Sequence, residues 1–355
     1  MSNRVTIQDI ADELGLSRNT VSKAMNNAGL ISEATKINIL KKAKEMGYKQ
    51  FTYISLPDEE PAAPPAAVPD TKKSEIVVLT GRYIGENHFA ASMIDCLQTE
   101  MASIGYTTSL RKLLPNELSE RRLSLPDPSR IAGMICFEIF DPEYAQSLKS
   151  LDIPLLFVDA PVTLYSSRIG ADLLIMENRT STTEVIRHMI EKGKKSIGFV
   201  GDYHNCQSFF ERYSTLLECV HWGITNPVPF SICGIRNIDF ENGICSQQEY
   251  IKKKLREMKQ LPEAFFCAND SIAEILLLEL DRFGLCVPKD IYVAGFDDSP
   301  IASKLSPSLT TVHIHGHEMG YSAARMLQSR IQQPDRENLT CYIDSKPVYR
   351  ASTED

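Results

Sequence analysis

The chain is poor in the features that mark enzymes, secreted domains and membrane proteins. Its nine cysteines show no CxxC spacing, which excludes the usual zinc or disulfide frameworks. Several sit in apolar runs, such as Cys136 in GMICF and Cys267 in AFFCA, where reduced thiols pack as small apolar groups. No apolar run approaches the roughly 20 residues that cross a bilayer. The N-terminus carries no secretory leader. A cytoplasmic protein with no membrane partner is therefore expected. No GxGxxG follows the first apolar run and no GxxxxGK[ST] occurs, so the common dinucleotide and P-loop cradles are missing. No nucleophile elbow presents a serine. No cofactor and no catalytic residue are expected. Positive charge is also in deficit: 38 Lys and Arg face 46 Asp and Glu, for a net charge of −8.

That deficit is uneven. Residues 1–50 hold eight basic side chains (4, 18, 23, 36, 41, 42, 44, 49) and five acidic ones (9, 12, 13, 33, 45), leaving this stretch at +3 and the rest at −11. A small basic head on an acidic body suits contact with a polyanion at one end only.

The head itself reads as three short helices. Thr6 and Asp9 stand at capping-box spacing, and Ile7, Ile10, Ala11 and Leu14 follow the spacing of one buried face. Gly15 breaks the first helix and Ser17 caps the second. Val21, Ala24 and Met25 form the inner face of that second helix, and Arg18, Asn19, Ser22 and Lys23 begin its outer face. A third helix is expected from Ser32 to Gly47, with Ile37, Leu40 and Ala43 inward. Two helices joined by a glycine-containing turn form a helix-turn-helix, whose second helix fits the major groove. Arg and Asn pair bidentately with guanine and adenine.

Beyond the head, PDEEPAAPPAAVPDTKK (57–73) contains five prolines and reads as an extended linker. Apolar runs then alternate with helical stretches: EIVVLT (75–80), GMICF (133–137), PLLFV (154–158), SIGFV (196–200), AFFCA (264–268) and IYVAGF (291–296). Continuous apolar strands with helices between them imply α/β architecture with parallel sheets covered on both faces. The length implies two lobes. Most runs end in an acid or amide: Glu138, Asp159, Asp202, Asn269-Asp270 and Asp297-Asp298. Ligands bind at the carboxyl ends of strands in such sheets. Asp202 and Asp270 look most like helix caps.

The headpiece VTIQDIADELGLSRNTVSKAMNN…ISEATKINILKKAKEMGY closely resembles that of LacI/GalR-family transcription regulators. The likeness extends through KKSIGFVGD, FFCANDSIAEILLLELDRFGLCVPKDIYVAGFDDSPIASKLSPSLTTV and YRAST to the family's effector core, two Rossmann-like lobes of periplasmic-binding-protein type I. It implies a headpiece at 1–50, a linker at 51–73, a first lobe at 74–162 and 292–321, and a second at 163–291 and 322–355. It places base reading on Arg18, Asn19 and Lys23, and phosphate contacts on Thr6, Ser17, Thr20 and Asn26. It assigns a small carbohydrate effector to Arg212, Asn269 and Asp297, with Phe89, Tyr203 and Phe209 as ring partners. It also implies a homodimer on a pseudo-palindromic operator, acting as a repressor. The alternatives are a switch driven by a protein partner or a phosphorylated metabolite, or a nucleotide-dependent sugar enzyme.

Three departures stand out. Thr215 replaces the glycine that follows the family's ligand arginine. GYKQFTYISLPDEEP replaces the family's hinge run, leaving Leu56 as the residue to wedge the minor groove, beside Pro57 and the phosphate-repelling Asp58 to Glu60. His313, His315 and His317 alternate in TTVHIHGHE as strand neighbours do; a packed or solvated crossover strand, without metal, is the simpler reading.

Overall fold

A computed structural model describes residues 7–25, 73–81, 90–125, 127–162, 169–220 and 243–354, with isolated positions at 35, 38–39, 41–43, 46 and 84. The side chains of 23–25, 220 and 243–246 lie outside that description. The chain divides into two compact units, Met1–Pro69 and Asp70–Asp355.

In the first unit, α1 (Ile7–Leu14) and α2 (Arg18–Met25) flank Gly15. Gly15 has φ +64, a left-handed conformation that glycine adopts without strain. The Leu16 amide donates back to the Ala11 carbonyl at 2.9 Å, closing α1. Ser17 Oγ accepts from the Thr20 amide at 3.0 Å, as a cap does. Ile10, Ala11 and Val21 are fully buried with Ile39 and Ala43. Of the inward residues expected on the third helix, Ala43 is so placed and Ile37 and Leu40 lie outside the described residues; Ile39 is also in the core. The linker 51–72 also lies outside them.

The second unit is built on parallel strands. β1 (Glu75–Thr80), β2 (Thr107–Lys112), β3 (Ile131–Phe137), β4 (Leu155–Val158), β5 (Asp172–Met176) and β10 (Thr340–Ile343) form one sheet in the order β10-β5-β4-β3-β1-β2. A smaller sheet holds β6 (Ile197–Val200), β7 (Ala264–Cys267) and β8 (Tyr292–Ala294). β9 (Thr311–Ile314) and β11 (Ser345–Val348) pair antiparallel beside it. The major helices are α3 (Ala90–Ser103), α4 (Pro142–Leu148), α5 (Arg179–Glu191), α6 (Gln207–Val220), α7 (Gly243–Glu257), α8 (Asp270–Arg282) and α9 (Gly316–Gln332).

Alternation explains the layers. Ile76 and Val78 of β1 pack with α3 and α9, whereas Val77 and Leu79 face the cluster around Tyr144 and Leu148 of α4. Both faces are covered, as an all-parallel sheet requires. The smaller sheet is likewise sandwiched, with Phe265, Cys267 and Val293 against α8 on one side.

Sheet membership corrects the expected lobe limits. β5 pairs with β4 and belongs to the first sheet, although the resemblance puts 163–291 in the second lobe. β8 pairs with β7 and belongs to the second, although the resemblance puts 292–321 in the first. In each case the strand joins its predecessor in the chain, the commoner arrangement for consecutive strands. Helix α9 packs on α3, β3, β4 and β5, and β10 completes the first sheet, so 316–343 returns to the first lobe. The chain crosses between lobes after β5, after β9 and after β10.

Candidate functional site

The carboxyl ends of strands from both sheets meet at Arg212 on α6. Its side chain is 2 % exposed. Nε donates to Asn178 Oδ1, just beyond β5, at 2.9 Å. Nη1 donates to the Ala268 carbonyl beyond β7 at 2.6 Å and lies 3.7 Å from Asp297 Oδ1 beyond β8. The charged plane sits over the Phe296 ring at 3.5 Å, a cation–π contact made stronger by desolvation. Burial pulls this guanidinium below its ordinary pKa, and Asp297 is the first of the acids opposing that fall. Among the described residues Nη2 makes no hydrogen bond, so one donor edge remains for a ligand.

Strain collects at the exits of β3, β4 and β8. Glu138, Asp159, Asp297 and Asp298 have φ values of 54, 59, 116 and 49. Non-glycine residues hold such angles only where the surroundings impose them, and they cluster at ligand sites. Asp159 Oδ1 accepts from the Ala160 amide at 2.8 Å and the Ser208 amide at 3.2 Å. Burial pushes its carboxyl upward, against those bonds. The neighbouring Cys206 thiol is also pushed well up, by burial first and Asp159 second.

The expected residues divide. Arg212 and Asp297 come together. Asn269 does not bond Arg212; its Oδ1 caps α8 by accepting from the Ile272 amide at 3.0 Å, while Asn178 takes the amide position beside the arginine. Asp270 is then not the cap. It is buried, and accepts from Thr311 Oγ1 at 2.6 Å and the Ser299 amide at 2.8 Å. Asp202 holds a turn through the His204 amide at 3.0 Å rather than capping α6. Tyr203 is half-buried, stacked on Tyr213 with centroids 4.4 Å apart and with the tilted His204 ring at 4.1 Å. Phe209 lies 5.6 Å from the Arg212 guanidinium. Thr215, in place of glycine, is buried and bonds the Glu211 carbonyl at 2.8 Å. Phe89 and Leu56 lie outside the described residues.

In the head, Ser17, Arg18 and Asn19 are exposed at the start of α2 and Thr20 is half-buried. The hydroxyls of Ser17 and Thr20 lie 2.8 Å apart. Lys23 has its backbone on α2, while its side chain, like Thr6 and Asn26, lies outside the described residues. Of the three histidines, His313 Nδ1 pairs with Asp298 Oδ2 at 2.9 Å. Among the described residues no His, Cys, Asp and Glu cluster could hold a metal ion.

Sequence reasoning missed Asn178, Glu211 and Tyr342. Asn178 is easily passed over inside MENRT, and no local pattern links it to Glu211 or Tyr342, both distant in the chain.

A two-lobed binding-protein-like body that follows a helix-turn-helix head in the chain defines a class of DNA-binding regulators. Residues 186–353 match the periplasmic binding protein-like domain and residues 6–50 match the bacterial regulatory proteins of the lacI family. The lacI-family match lies in the head and the binding-protein-like match in the body, and the curated relatives that the chain matches along its length are transcription regulators. The chain is 25 % identical over 358 residues to the HTH-type transcriptional repressor PurR of Photobacterium profundum, covering 99 % of each chain. Its fold is similar to that of the transcriptional regulator CelR in complex with cellobiose, with a TM-score of 0.63 and 20 % identity over 98 % of this chain and 100 % of that one. It is also similar to the Lac repressor dimer bound to operator and the anti-inducer ONPF, with a TM-score of 0.62 and 20 % identity over 99 % of both chains. No helix among the described residues is long and apolar enough to cross a membrane.

Proposed function

We propose that this chain is a cytoplasmic repressor that reads a pseudo-palindromic operator as a homodimer, and that a small neutral polyhydroxylated effector, held at Arg212, sets its operator affinity. The observation that carries the effector half is the oriented guanidinium: Nε and Nη1 are spent on protein, Nη1 lies 3.7 Å from the Asp297 carboxylate, and Nη2 makes no hydrogen bond among the described residues. A donor edge next to an acceptor grips vicinal hydroxyls by charge-assisted bonds. The acids Asp297, Asp159 and Glu211 all lie close enough to act on the Arg212 charge, a balance that disfavours phosphorylated or carboxylated ligands. For such binding to regulate, the effector must bind the two conformations with different affinity.

A thermal-shift panel of glucose, galactose, ribose, maltose and cellobiose tests this half. A sugar present at about 100-fold its Kd stabilises by about 2.7 kcal/mol. One sugar is expected to raise the midpoint in the parent chain and not in Arg212→Lys; no shift with any neutral sugar rejects the reading. For the head, Arg18→Ala is expected to lose about 1–3 kcal/mol of operator affinity and to relax preference at one base pair per half-site. An equal loss on every duplex in a competition assay makes Arg18 a phosphate contact only.

A further inference from the structure

The contacts behind Arg212 form a connected chain. Asn178 is fully buried, and its Nδ2 donates to the Met176 carbonyl at 2.9 Å and Glu211 Oε2 at 2.8 Å, with Ser208 Oγ at 3.3 Å. These acceptors fix the amide so that Oδ1 must face Arg212 Nε. Glu211, adjacent to Arg212 on α6, is itself buried. Its Oε1 accepts from Gln207 Nε2 at 3.1 Å and from the Tyr342 hydroxyl at 2.9 Å. Tyr342 lies on β10, in the first sheet, one residue before the strand ends at the third crossover. Glu211 and Arg212 lie on α6, which packs on α5 in the second lobe. Asn178 follows the first crossover strand. One side-chain path therefore runs from the first sheet, through a carboxylate and an amide, to the guanidinium.

We infer that Glu211 is a positioning residue for Arg212, acting through Asn178, and that the Tyr342 hydroxyl ties this positioning to the arrangement of the two lobes. The assignment of a binding role to Arg212 rests on the function proposed above; the positioning itself does not. An arginine has many rotamers, and fixing one before a ligand arrives removes that ordering cost from binding. Without the Glu211 acceptor the Asn178 amide loses the partner that sets its orientation, and Nε loses its fixed acceptor. Without the Tyr342 hydroxyl, Glu211 keeps Gln207 and Asn178 but loses its bond to the first lobe. Movement of β10 relative to α6 lengthens the same bond, so lobe opening loosens the arginine and a ligand that fixes the arginine favours the arrangement in which the bond is made.

The test is the exchange rate of the Arg212 Nε proton with solvent, read by NMR on the ligand-free full chain labelled with ¹⁵N-arginine, the signal being assigned by its loss in Arg212→Lys. Glu211→Ala is expected to speed exchange about tenfold, the scale of one lost hydrogen bond to a charged group. Glu211→Gln is expected to restore it to within about twofold: the new amide oxygen still accepts from Asn178 Nδ2, and Gln207, whose Oε1 has no partner among the described residues, can turn to accept from the new amide nitrogen. Tyr342→Phe is expected to lie between, at about threefold. Unchanged exchange in both Glu211→Ala and Tyr342→Phe overturns the inference. So does faster exchange in Glu211→Ala that spreads over the backbone amides of the whole second lobe and is not rescued by Glu211→Gln, because that is loss of structure. A failed sugar panel on the parent chain rejects the effector reading and leaves this measurement standing, since no ligand enters it.

Discussion

Asp172 and Asp270 are buried aspartates at opposite ends of parallel sheets. Asp172 opens β5 in the first sheet, at the amino end of its strand, away from the meeting of strand exits at Arg212. It is fully buried and accepts five hydrogen bonds: from Arg330 Nε and Nη2 at 3.1 and 2.8 Å, from Arg336 Nη1 and Nη2 at 3.0 and 2.6 Å, and from the Leu339 amide at 2.8 Å. Burial alone would raise its pKa, but the two arginines and the amide outweigh it and hold the carboxyl below the usual range. Asp270 stands beyond β7 in the second sheet, at the carboxyl end. It has hydroxyl and amide donors from Thr311 and Ser299, and no cation among the described residues bonds it. Burial, its largest influence, pushes it up to about 6, with Asp298 adding to the rise. The space is tight as well: a Cβ added at Gly295 would collide with Asp270 Oδ1. The structural end of the fold saturates its buried charge. At the binding end Asp297 and Asp298 are paired with Arg212 and Arg350, and it is Asp270 that is left under-compensated, where a ligand or a movement can find it.

The largest effect expected from this contrast is at Asp172. Asp172→Ala leaves two guanidinium groups facing each other with their shared carboxylate gone. Removing one partner of a buried pair typically costs about 3–5 kcal/mol. Urea unfolding of the full chain at neutral pH reads this as a lowered midpoint of the body's transition. Asp172→Asn is expected to recover little, because its amide group would point donors at donors. If Asp270→Ala costs as much as Asp172→Ala, the contrast between the two ends fails.

The same contrast shows what a sequence discloses. Strand and helix identity were legible because they rest on local pattern. Glu75–Thr80 is the strand EIVVLT, and the helix read from Ile7, Ile10, Ala11 and Leu14 runs Ile7–Leu14. Which sheet a strand joins was not legible, because it is decided by pairing with a distant segment. DLLIM and IYVAGF carry no mark of their partners, and sheet pairing moves both out of the lobe expected for them. At the site, Arg212 and Asp297 were found through resemblance, and the polar strand ends through pattern. Asn269 and Asp270 exchanged roles because two adjacent residues can each cap a helix, and only the backbone angle of Asn269, extended at φ −154, selects between them. The Asn178, Glu211 and Tyr342 path was invisible for the reason that the Asp172, Arg330 and Arg336 cluster was: each is assembled from distant segments by the fold itself.

Asp270 supplies the smaller and more discriminating effect. Its pKa is about 6 in the folded chain against an ordinary value of 3.8, so the native state binds the proton more tightly than the unfolded state does. Stability from this group is fully present below about pH 4 and is lost as pH rises through 6, by about 3 kcal/mol at roughly 1.36 kcal/mol per unit. Asp172 acts with the opposite sign and in a different window: its folded pKa is lowered, so its contribution is present above about pH 4 and is lost as pH falls further. The two are therefore separable by titration. Urea midpoints measured at about pH 4.5, 5.5 and 6.5 are expected to carry a downward component with rising pH that Asp270→Asn removes. The absolute stability of Asp270→Asn is not the readout, since an amide nitrogen cannot accept the bonds from Ser299 or Thr311 that a carboxylate oxygen does. The slope is. Parallel curves for the parent and Asp270→Asn across that range would mean that Asp270 is as well compensated as Asp172, and that the carboxyl ends of these sheets hold no reserve of unsatisfied charge.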